Sequence, residues 1–174
     1  MDSFKNLFCI NSDGFLNNVK QIHSPNQDAR PSDEEISLLV IHNISLPPNI
    51  FGNTYIEDFF SNSLNNKIHP YFKTIKNLKV SSHFLIKRTG EIIQFVSCNN
   101  RAWHAGESSW KNKVNCNNFS IGIELEGTDH EPFENNQYMK LINLIKCLSN
   151  NYPISDIVGH NQISPQRKTD PGPF

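Results

Sequence analysis

A chain of 174 residues is most simply one domain, and it is long enough to bury roughly two thirds of the surface that its unfolded form exposes. The formal net charge is −1 with acidic and basic side chains interspersed, which argues against nucleic acid as a partner and against a membrane surface. The N-terminal residues lack the pattern of a secretory leader, and no long apolar run occurs, so we expect a cytoplasmic protein. The four cysteines form no Cys-x-x-Cys pair, and we expect free thiols.

The first third of the chain passes from irregular sequence to a buried strand. Residues 1–35 contain polar turns and the stretch SPNQDARPSDEE, and we expect them to form a largely irregular arm of a single domain spanning residues 1–174. Residues 36–43, ISLLVIHN, are a short apolar run bounded by turn residues, which predicts a strand buried on both faces. His42 closes this run at the strand's C-terminal edge, where open sheets often bind ligands, although such a histidine is more often a simple edge residue.

A short helix, a long loop and a hairpin are predicted next. Residues 53–60 combine an Asn N-cap with an apolar stripe, which favours a helix. Residues 62–79 form a polar stretch dotted with aromatic residues, which is typical either of a functional lid or of an ordinary surface loop. Residues 80–96 contain two alternating runs joined around a Thr-Gly pair, the pattern of a hairpin, and His83 is expected to be a hydrogen-bonded sheet residue.

Residues 101–109, RAWHAGESS, predict a loop that shapes a concave wall. Trp103 in this loop either stacks on a substrate or belongs to the core. His104 is interpreted as structural.

Two carboxylates lie on a predicted strand at residues 119–127, FSIGIELEG, in which apolar and polar side chains alternate. Burying the apolar face directs Glu124 and Glu126 to the opposite face. Because Gly122 would leave open space beside Glu124, this acid is a candidate general base, and a half-exposed strand with solvated acids is the alternative.

A long amphipathic helix is predicted at residues 135–150, where apolar residues recur with helical spacing and face the core. Pro153 follows shortly after, as is typical beyond a helix end. Residues 154–159 then predict a short strand that leads directly to His160.

The C-terminal stretch, GHNQISPQRKTDPGPF, places His160, Lys168 and Asp170 on a segment too rich in Pro, Asn and Gly for long regular structure. Pro171 favours an extended backbone at Asp170, so the side chains of Lys168 and Asp170 can face one pocket. Two imidazoles and one carboxylate form a typical ligand set for catalytic zinc. If the strands ending at His42 and His160 adjoin, these histidines and Asp170 can bind one zinc ion.

The assembled groups suit amide hydrolysis. Zinc makes a water nucleophilic near neutral pH and polarises a carbonyl. Glu124 can transfer a proton from the water to the leaving amine, and Lys168 can stabilise a tetrahedral oxyanion by about 3 to 4 kcal/mol, by analogy with one oxyanion-hole donor.

Several segments of the chain resemble the zinc-dependent type 2 N-acetylmuramoyl-L-alanine amidase family: SLLVIHNISLPP, HPYF, RAWHAG, FSIGIELEGTD and RKTDPGP. The resemblance runs in order from about Ser24 to the end of the chain. It implies an α+β fold, with a central mixed β-sheet flanked by helices. It also implies hydrolysis of the amide between the lactyl group of 1,6-anhydro-N-acetylmuramic acid and L-alanine, in cell-wall recycling, by a monomer acting on small muropeptides.

The resemblance also assigns roles to individual residues. The zinc ligands of the family match His42, His160 and Asp170, and its catalytic glutamate and lysine match Glu124 and Lys168. The residues expected to form the substrate groove are Asn43, Lys79, Ala102 and Trp103. Lys79 and Asn115 occupy positions where arginines for peptide carboxylates are expected, so the preferred stem peptide stays open.

Two other functions remain open from the sequence. One is a recognition module that binds peptidoglycan fragments without turnover, although the filled metal set argues against it. The other is a lytic amidase that acts on polymeric peptidoglycan.

Overall fold

The computed structural model describes residues 8–174, and this part of the chain forms ten β-strands and four α-helices. The strands are β1 (Lys20–Gln21), β2 (Gln27–Ala29), β3 (Leu38–Ile44), β4 (Phe84–Ile86), β5 (Ile92–Gln94), β6 (Asn100–Ala102), β7 (Ser109–Trp110), β8 (Lys113–Val114), β9 (Ser120–Glu126) and β10 (Asp156–Gly159). The helices are α1 (Tyr55–Phe60), α2 (Pro70–Ile75), α3 (Asn135–Asn151) and α4 (His160–Ile163). This composition confirms the predicted α+β class.

Six strands form a central mixed sheet in the order β1-β5-β4-β9-β3-β10. Strand β9 lies between β4 and β3 and runs parallel to both, whereas β4 and β5 form the antiparallel pair of the predicted hairpin. The register places His42 beside Glu124, and Ile41 beside Gly159. Because parallel strands end at the same edge of a sheet, the residues that close β3, β9 and β10 meet there.

Helices cover both faces of the sheet. Alternate side chains of β4 point to opposite faces, as the strand period requires. Phe84 and Ile86 pack with Leu144 and Leu148 of α3, and Leu85 packs with residues of α1 and α2 on the other face. Strand β9 is buried along its whole length, so the half-exposed reading of residues 119–127 is wrong.

Most predicted elements are present, and helix α2 is the main correction. It lies inside residues 62–79, which were predicted to be a loop. His69 has an extended backbone and its Nδ1 accepts a hydrogen bond from the N–H of Tyr71 at 3.2 Å, so it caps the helix, and Pro70 takes the first helical position. The cap and proline in HPYF are the sequence signal for this helix.

The N-terminal arm is irregular apart from two short strands. Strand β1 pairs with β5 at the end of the central sheet, and β2 pairs with β6 in a separate two-stranded sheet. Residues 1–7 of the predicted arm lie outside the described residues. The apolar residues of helix α3 were all expected to face the core, but one of them, Ile142, is 51% exposed.

Candidate metal and catalytic site

Three potential ligand atoms converge at the edge where β3 and β10 end. His42 lies near the end of β3, His160 begins α4 directly after β10, and Asp170 comes from the C-terminal segment. The Nδ1 atoms of the two histidines are 2.9 Å apart, and Asp170 Oδ2 lies 3.2 Å from His42 Nδ1 and 3.0 Å from His160 Nδ1. Among residues 8–174, His42, His160 and Asp170 bring their ligand atoms close enough together to hold one metal ion.

The hydrogen bonds around this triad favour a cation at its centre. His160 Nε2 lies 3.1 Å from the carbonyl oxygen of Ala105, which can only accept, so this nitrogen carries the proton. In neutral His160 the Nδ1 lone pair then faces the Asp170 carboxylate at 3.0 Å. Two acceptors this close repel each other unless a cation or a shared proton lies between them.

The donor set fits zinc, and its spacing is close to what zinc requires. Two ligand atoms that each lie ~2.0–2.2 Å from a tetrahedral ion are about 3.3–3.6 Å apart. The observed separations of 2.9–3.2 Å would widen by a few tenths of an ångström around the ion. Burial lowers the pKa of His42 to about 4, so its imidazole is neutral at pH 7 and can act as a ligand. Burial opposes ionisation of Asp170, but in the metal-free site protons shared with His160 and His42 outweigh it and hold the pKa of this carboxyl below its usual range.

Glu124 lies beside His42 in the sheet and has a free carboxylate oxygen. The residue is 7% exposed, and its buried Oε2 has no hydrogen-bond partner among the described residues. Burial raises the pKa of Glu124 well above its usual value, the charge of Asp170 raises it further, and Lys168 opposes both effects. Such a carboxyl group binds a proton more readily than an exposed glutamate does and can still release it.

Glu126, two residues further along β9, has a different environment. Its Oε1 accepts a hydrogen bond from the N–H of Gly52 at 2.7 Å, and its Oε2 accepts one from the N–H of Arg88 at 3.0 Å. Both oxygens are therefore used to hold loops, and Glu126 does not line the cavity described next.

A cavity of about 360 Å³ opens over the triad. Glu124, Lys168 and Asp170 all line it, which confirms that Lys168 and Asp170 face one pocket. One wall is mainly apolar and consists of Leu46, Pro48, Phe59, Phe60, Tyr71, Ile75, Leu78 and Val80. Tyr71, from α2, was missed because residues 62–79 were interpreted as a loop. A second cavity of about 380 Å³ has mostly polar walls and shares Asn43, Lys168 and Asp170 with the first.

The residues expected to form the substrate groove are placed unequally. Asn43 lines both cavities, and its Nδ2 donates to Asp129 Oδ1 at 2.6 Å. Lys79 lines a small adjoining pocket beside the apolar wall. Trp103 is half-buried and its indole N–H donates to Asp28 Oδ1 at 3.2 Å. Ala102 is fully buried in the core and offers no surface to a ligand.

His104, interpreted as structural from the sequence, makes direct contact with the triad. Its Nδ1 lies 2.9 Å from His42 Nε2, and it also lines the cavity over the triad, as Glu124 does. A Cβ atom on Gly122 would lie 2.5 Å from the His104 ring, so the space beside Glu124 that was expected to be open is occupied by this ring. His83 behaves as predicted, since its Nδ1 accepts a hydrogen bond from the Gly122 N–H at 3.0 Å.

Known proteins are similar to this chain in both sequence and fold. Residues 32–173 match the family model described as N-acetylmuramoyl-L-alanine amidase. The chain is 51% identical over 164 residues to 1,6-anhydro-N-acetylmuramyl-L-alanine amidase AmpD of Haemophilus influenzae, with 92% of this chain and 89% of that protein covered. A crystal structure of a selenomethionine AmpD derivative superposes with a TM-score of 0.91 at 48% identity, covering 94% of this chain and 92% of that one.

A more distant solved structure includes a bound substrate. The amidase AmiD of E. coli, in complex with anhydro-N-acetylmuramic acid-L-Ala-D-γ-Glu-L-Lys, superposes with a TM-score of 0.57 at 31% identity. The match covers 94% of this chain and 61% of that chain.

Within the described residues, no helix has the length and apolar character needed to cross a membrane.

Proposed function

The chain belongs to the N-acetylmuramoyl-L-alanine amidase family, and from this we propose that it hydrolyses the amide between the lactyl group of 1,6-anhydro-N-acetylmuramic acid and L-alanine in cell-wall recycling. The observation that carries the proposal is the convergence of the His42, His160 and Asp170 ligand atoms, 2.9–3.2 Å apart, beside an unpartnered Glu124. AmpD of Haemophilus influenzae, similar over 92% of this chain, supports the choice of the anhydro sugar.

His42, His160 and Asp170 would hold one zinc ion. When bound, zinc would supply Lewis-acid polarisation of water and of the scissile carbonyl. The three residues leave the side toward the cavity for substrate, as catalytic zinc sites with three protein ligands do. His42 and His160 are 1% and 2% exposed, so bulk water has little access to this side of the site, which strengthens the charge interactions there.

Glu124 would handle the proton. Its free Oε2 takes a proton from the attacking water and returns it to the nitrogen of the departing L-alanine. The raised pKa suits both steps, because a carboxyl that binds a proton readily also stays protonated long enough to donate it.

Lys168 would stabilise the charge that develops on the carbonyl oxygen. It lines the cavity with Asp170 and Glu124, so it would place a positive charge beside the bound substrate. One such donor contributes about 3 to 4 kcal/mol to transition-state stabilisation. Asn43 lines both cavities and would orient the substrate. Lys79, which lines the adjoining pocket, and Trp103 would add further contacts.

We further propose a cytoplasmic monomer that acts on small muropeptides. Every group of the site comes from one chain, so a second copy is not needed to complete it. The four cysteines, Cys9, Cys98, Cys116 and Cys147, are all free, which fits a reducing compartment.

The test is cleavage by the zinc-loaded protein, followed by mass spectrometry. One sample contains an anhydromuropeptide and a parallel sample contains intact peptidoglycan. We expect release of 1,6-anhydro-N-acetylmuramic acid and the free peptide from the small substrate alone. Cleavage of the polymer at a comparable rate would indicate a lytic amidase instead. Binding of the muropeptide without cleavage, by protein with one zinc per chain, would indicate a recognition module.

A further inference from the structure

Two consecutive residues, His104 and Ala105, contact the outer nitrogens of both histidines of the triad. His104 Nδ1 lies 2.9 Å from His42 Nε2. The carbonyl oxygen of Ala105 lies 3.1 Å from His160 Nε2. One short loop therefore contacts two rings that come from different elements, His42 from β3 and His160 from the start of α4.

This loop is itself held firmly. Asn117 Oδ1 accepts hydrogen bonds from the backbone N–H groups of both His104, at 3.1 Å, and Ala105, at 2.8 Å. Arg167 Nη2 also donates to the Ala105 carbonyl oxygen at 2.8 Å. His104 and Ala105 are both buried, so solvent does not compete strongly for these hydrogen bonds.

The contact of Ala105 with His160 and the contact of His104 with His42 differ in how strictly they set the tautomer of the histidine. The Ala105 carbonyl can only accept, so it sets His160 as the tautomer with a proton on Nε2. An imidazole can either accept or donate, so the contact between His104 and His42 works in either direction. For His42 Nδ1 to present a lone pair to a metal, His42 Nε2 must donate and His104 Nδ1 must accept.

The surroundings of His104 allow its Nδ1 to accept a hydrogen bond from His42 Nε2. When Nδ1 accepts, its proton is on Nε2, and Ser120 Oγ lies 3.1 Å from this atom to receive it. The ring cannot move aside toward the sheet, since it already fills the position that a Cβ atom would take on Gly122, 2.5 Å from the ring. Metal-bound histidines generally depend on such an outer partner for orientation and basicity.

We propose that His104 is a positioning residue that, with Ser120 behind it, holds His42 in the tautomer that presents Nδ1 to the metal. The proposal rests on the proposed metal site. The loop that contains Trp103, His104 and Ala105 would then contribute to metal affinity through His104. This role is separate from any contact of Trp103 with substrate.

The experiment measures the zinc dissociation constant by competition with a chromophoric chelator. The variants are His104→Asn and His104→Leu, a pair of similar size. Asn can place an amide oxygen near the position of Nδ1 and still accept from His42, whereas Leu cannot. We expect His104→Leu to weaken zinc binding by about 10- to 100-fold, and His104→Asn to bind within about threefold of the wild type.

A second readout follows the tautomer directly. In metal-free protein, nitrogen-15 NMR of the imidazole rings should show a larger Nδ1–H population of His42 in His104→Leu than in His104→Asn. Ser120→Ala, which deletes a single hydroxyl and should fold normally, is expected to weaken zinc binding by about 3- to 10-fold.

Three outcomes would overturn the inference in folded protein: unchanged zinc affinity in His104→Leu, equal losses in the Leu and Asn variants, or no effect of Ser120→Ala. If His104→Leu does not fold, the Ser120→Ala and His104→Asn measurements still decide. Failure of the wild type to bind zinc would instead refute the proposed metal site, so the two failures are distinguishable.

Discussion

The candidate site has one half in the sheet and one half in the C-terminal segment. In the sheet, His42 and Glu124 are neighbours in register on β3 and β9 and are 1% and 7% exposed. In the segment, Lys168 and Asp170 are partly exposed, and backbone hydrogen bonds from Asn161 to Asp170 and from Lys168 to Ser164, at 2.9 and 3.0 Å, hold them in place.

The two halves differ in how position and charge are controlled. Sheet hydrogen bonds fix the backbone of His42 and Glu124, and burial shifts the pKa of both side chains toward the neutral form. The segment instead supplies the charged groups, since Asp170 is ionised and Lys168 extends into the cavity. Removing the Asp170 carboxylate should therefore lower both activity and stability, whereas neutralising Glu124 should lower activity and raise stability.

The largest effect is expected from the segment. Asp170→Ala removes one of the three proposed ligands, so bound zinc should be lost and kcat/KM should fall by about 10⁴-fold or more. The free energy of unfolding of the metal-free protein should also fall at pH 7, because a carboxylate whose pKa is lowered on folding stabilises the folded state above its unfolded pKa. Metal analysis and the cleavage assay measure the first two quantities. Asp156→Asn, an acid on β10 paired with Lys111, is the matched control and should keep zinc.

Retention of one zinc per chain by the Asp170→Ala protein would contradict the ligand assignment. It would also remove the distinction between the two halves, because the sheet would then bind the metal without the segment.

The second effect concerns the sheet. Glu124→Gln should keep zinc but lower kcat by about 10³-fold, since the amide cannot accept the proton. The metal-free variant should also be more stable than the wild type at pH 7. Burial raises the folded-state pKa of Glu124 above its unfolded value, so ionisation destabilises the wild type as the pH rises past that unfolded value. Kinetics and urea unfolding measure the two changes.

Glu126→Gln is the matched control, because Glu126 lies on the same strand and is also buried. Its carboxylate oxygens hold Gly52 and Arg88, so the substitution should cost about 1–3 kcal/mol of stability and leave kcat within about threefold. The opposite pattern, with activity lost only in Glu126→Gln, would transfer the proton-handling role to Glu126.

Regular periodicity made much of the fold predictable from the sequence. The strand at 36–43, the alternation at 119–127 and the helix at 135–150 all follow from local patterns that the packed structure keeps. Helix α2 is short, and much of its stability comes from burial of Phe72 and Ile75 in the core, which no local pattern shows. The two-residue strand β1 forms only because β5 offers it a partner.

The site was predictable as a set of residue types but not as a set of contacts. His42, Glu124 and His160 were identified because each lies at or near a strand end or on a strand face, which the sequence pattern shows. The contact between His42 and His104 joins residues 62 positions apart and depends on how a loop packs over the sheet. The filled space beside Gly122 has the same origin, since only the packed structure shows which ring occupies it.

A smaller loss is expected at the other segment residue. Lys168→Met keeps most of the side-chain volume but removes the charge, so zinc should stay bound while kcat falls by about 10²-fold. Stability should change little because Lys168 is partly exposed. Lys146→Met, an exposed lysine on α3, should leave kcat unchanged. A rise in KM alone for Lys168→Met would show that the charge binds substrate without stabilising the transition state.

The smallest expected effect is on the pH dependence of the unfolding free energy, through His83 beside the sheet half of the site. Burial, reinforced by the charge of Arg30, lowers the pKa of His83 to about 3, whereas an unfolded histidine titrates near 6.5. The unfolded chain therefore binds the proton first, and the stability that neutral His83 contributes is lost as the pH falls from ~6.5 toward ~3, by about 1.4 kcal/mol per pH unit. In metal-free protein, His83→Gln should reduce the slope of unfolding free energy against pH by that amount between pH ~6 and ~4. Urea titrations at several pH values measure the slope, and equal slopes for wild type and His83→Gln would show that this histidine is protonated in the folded sheet.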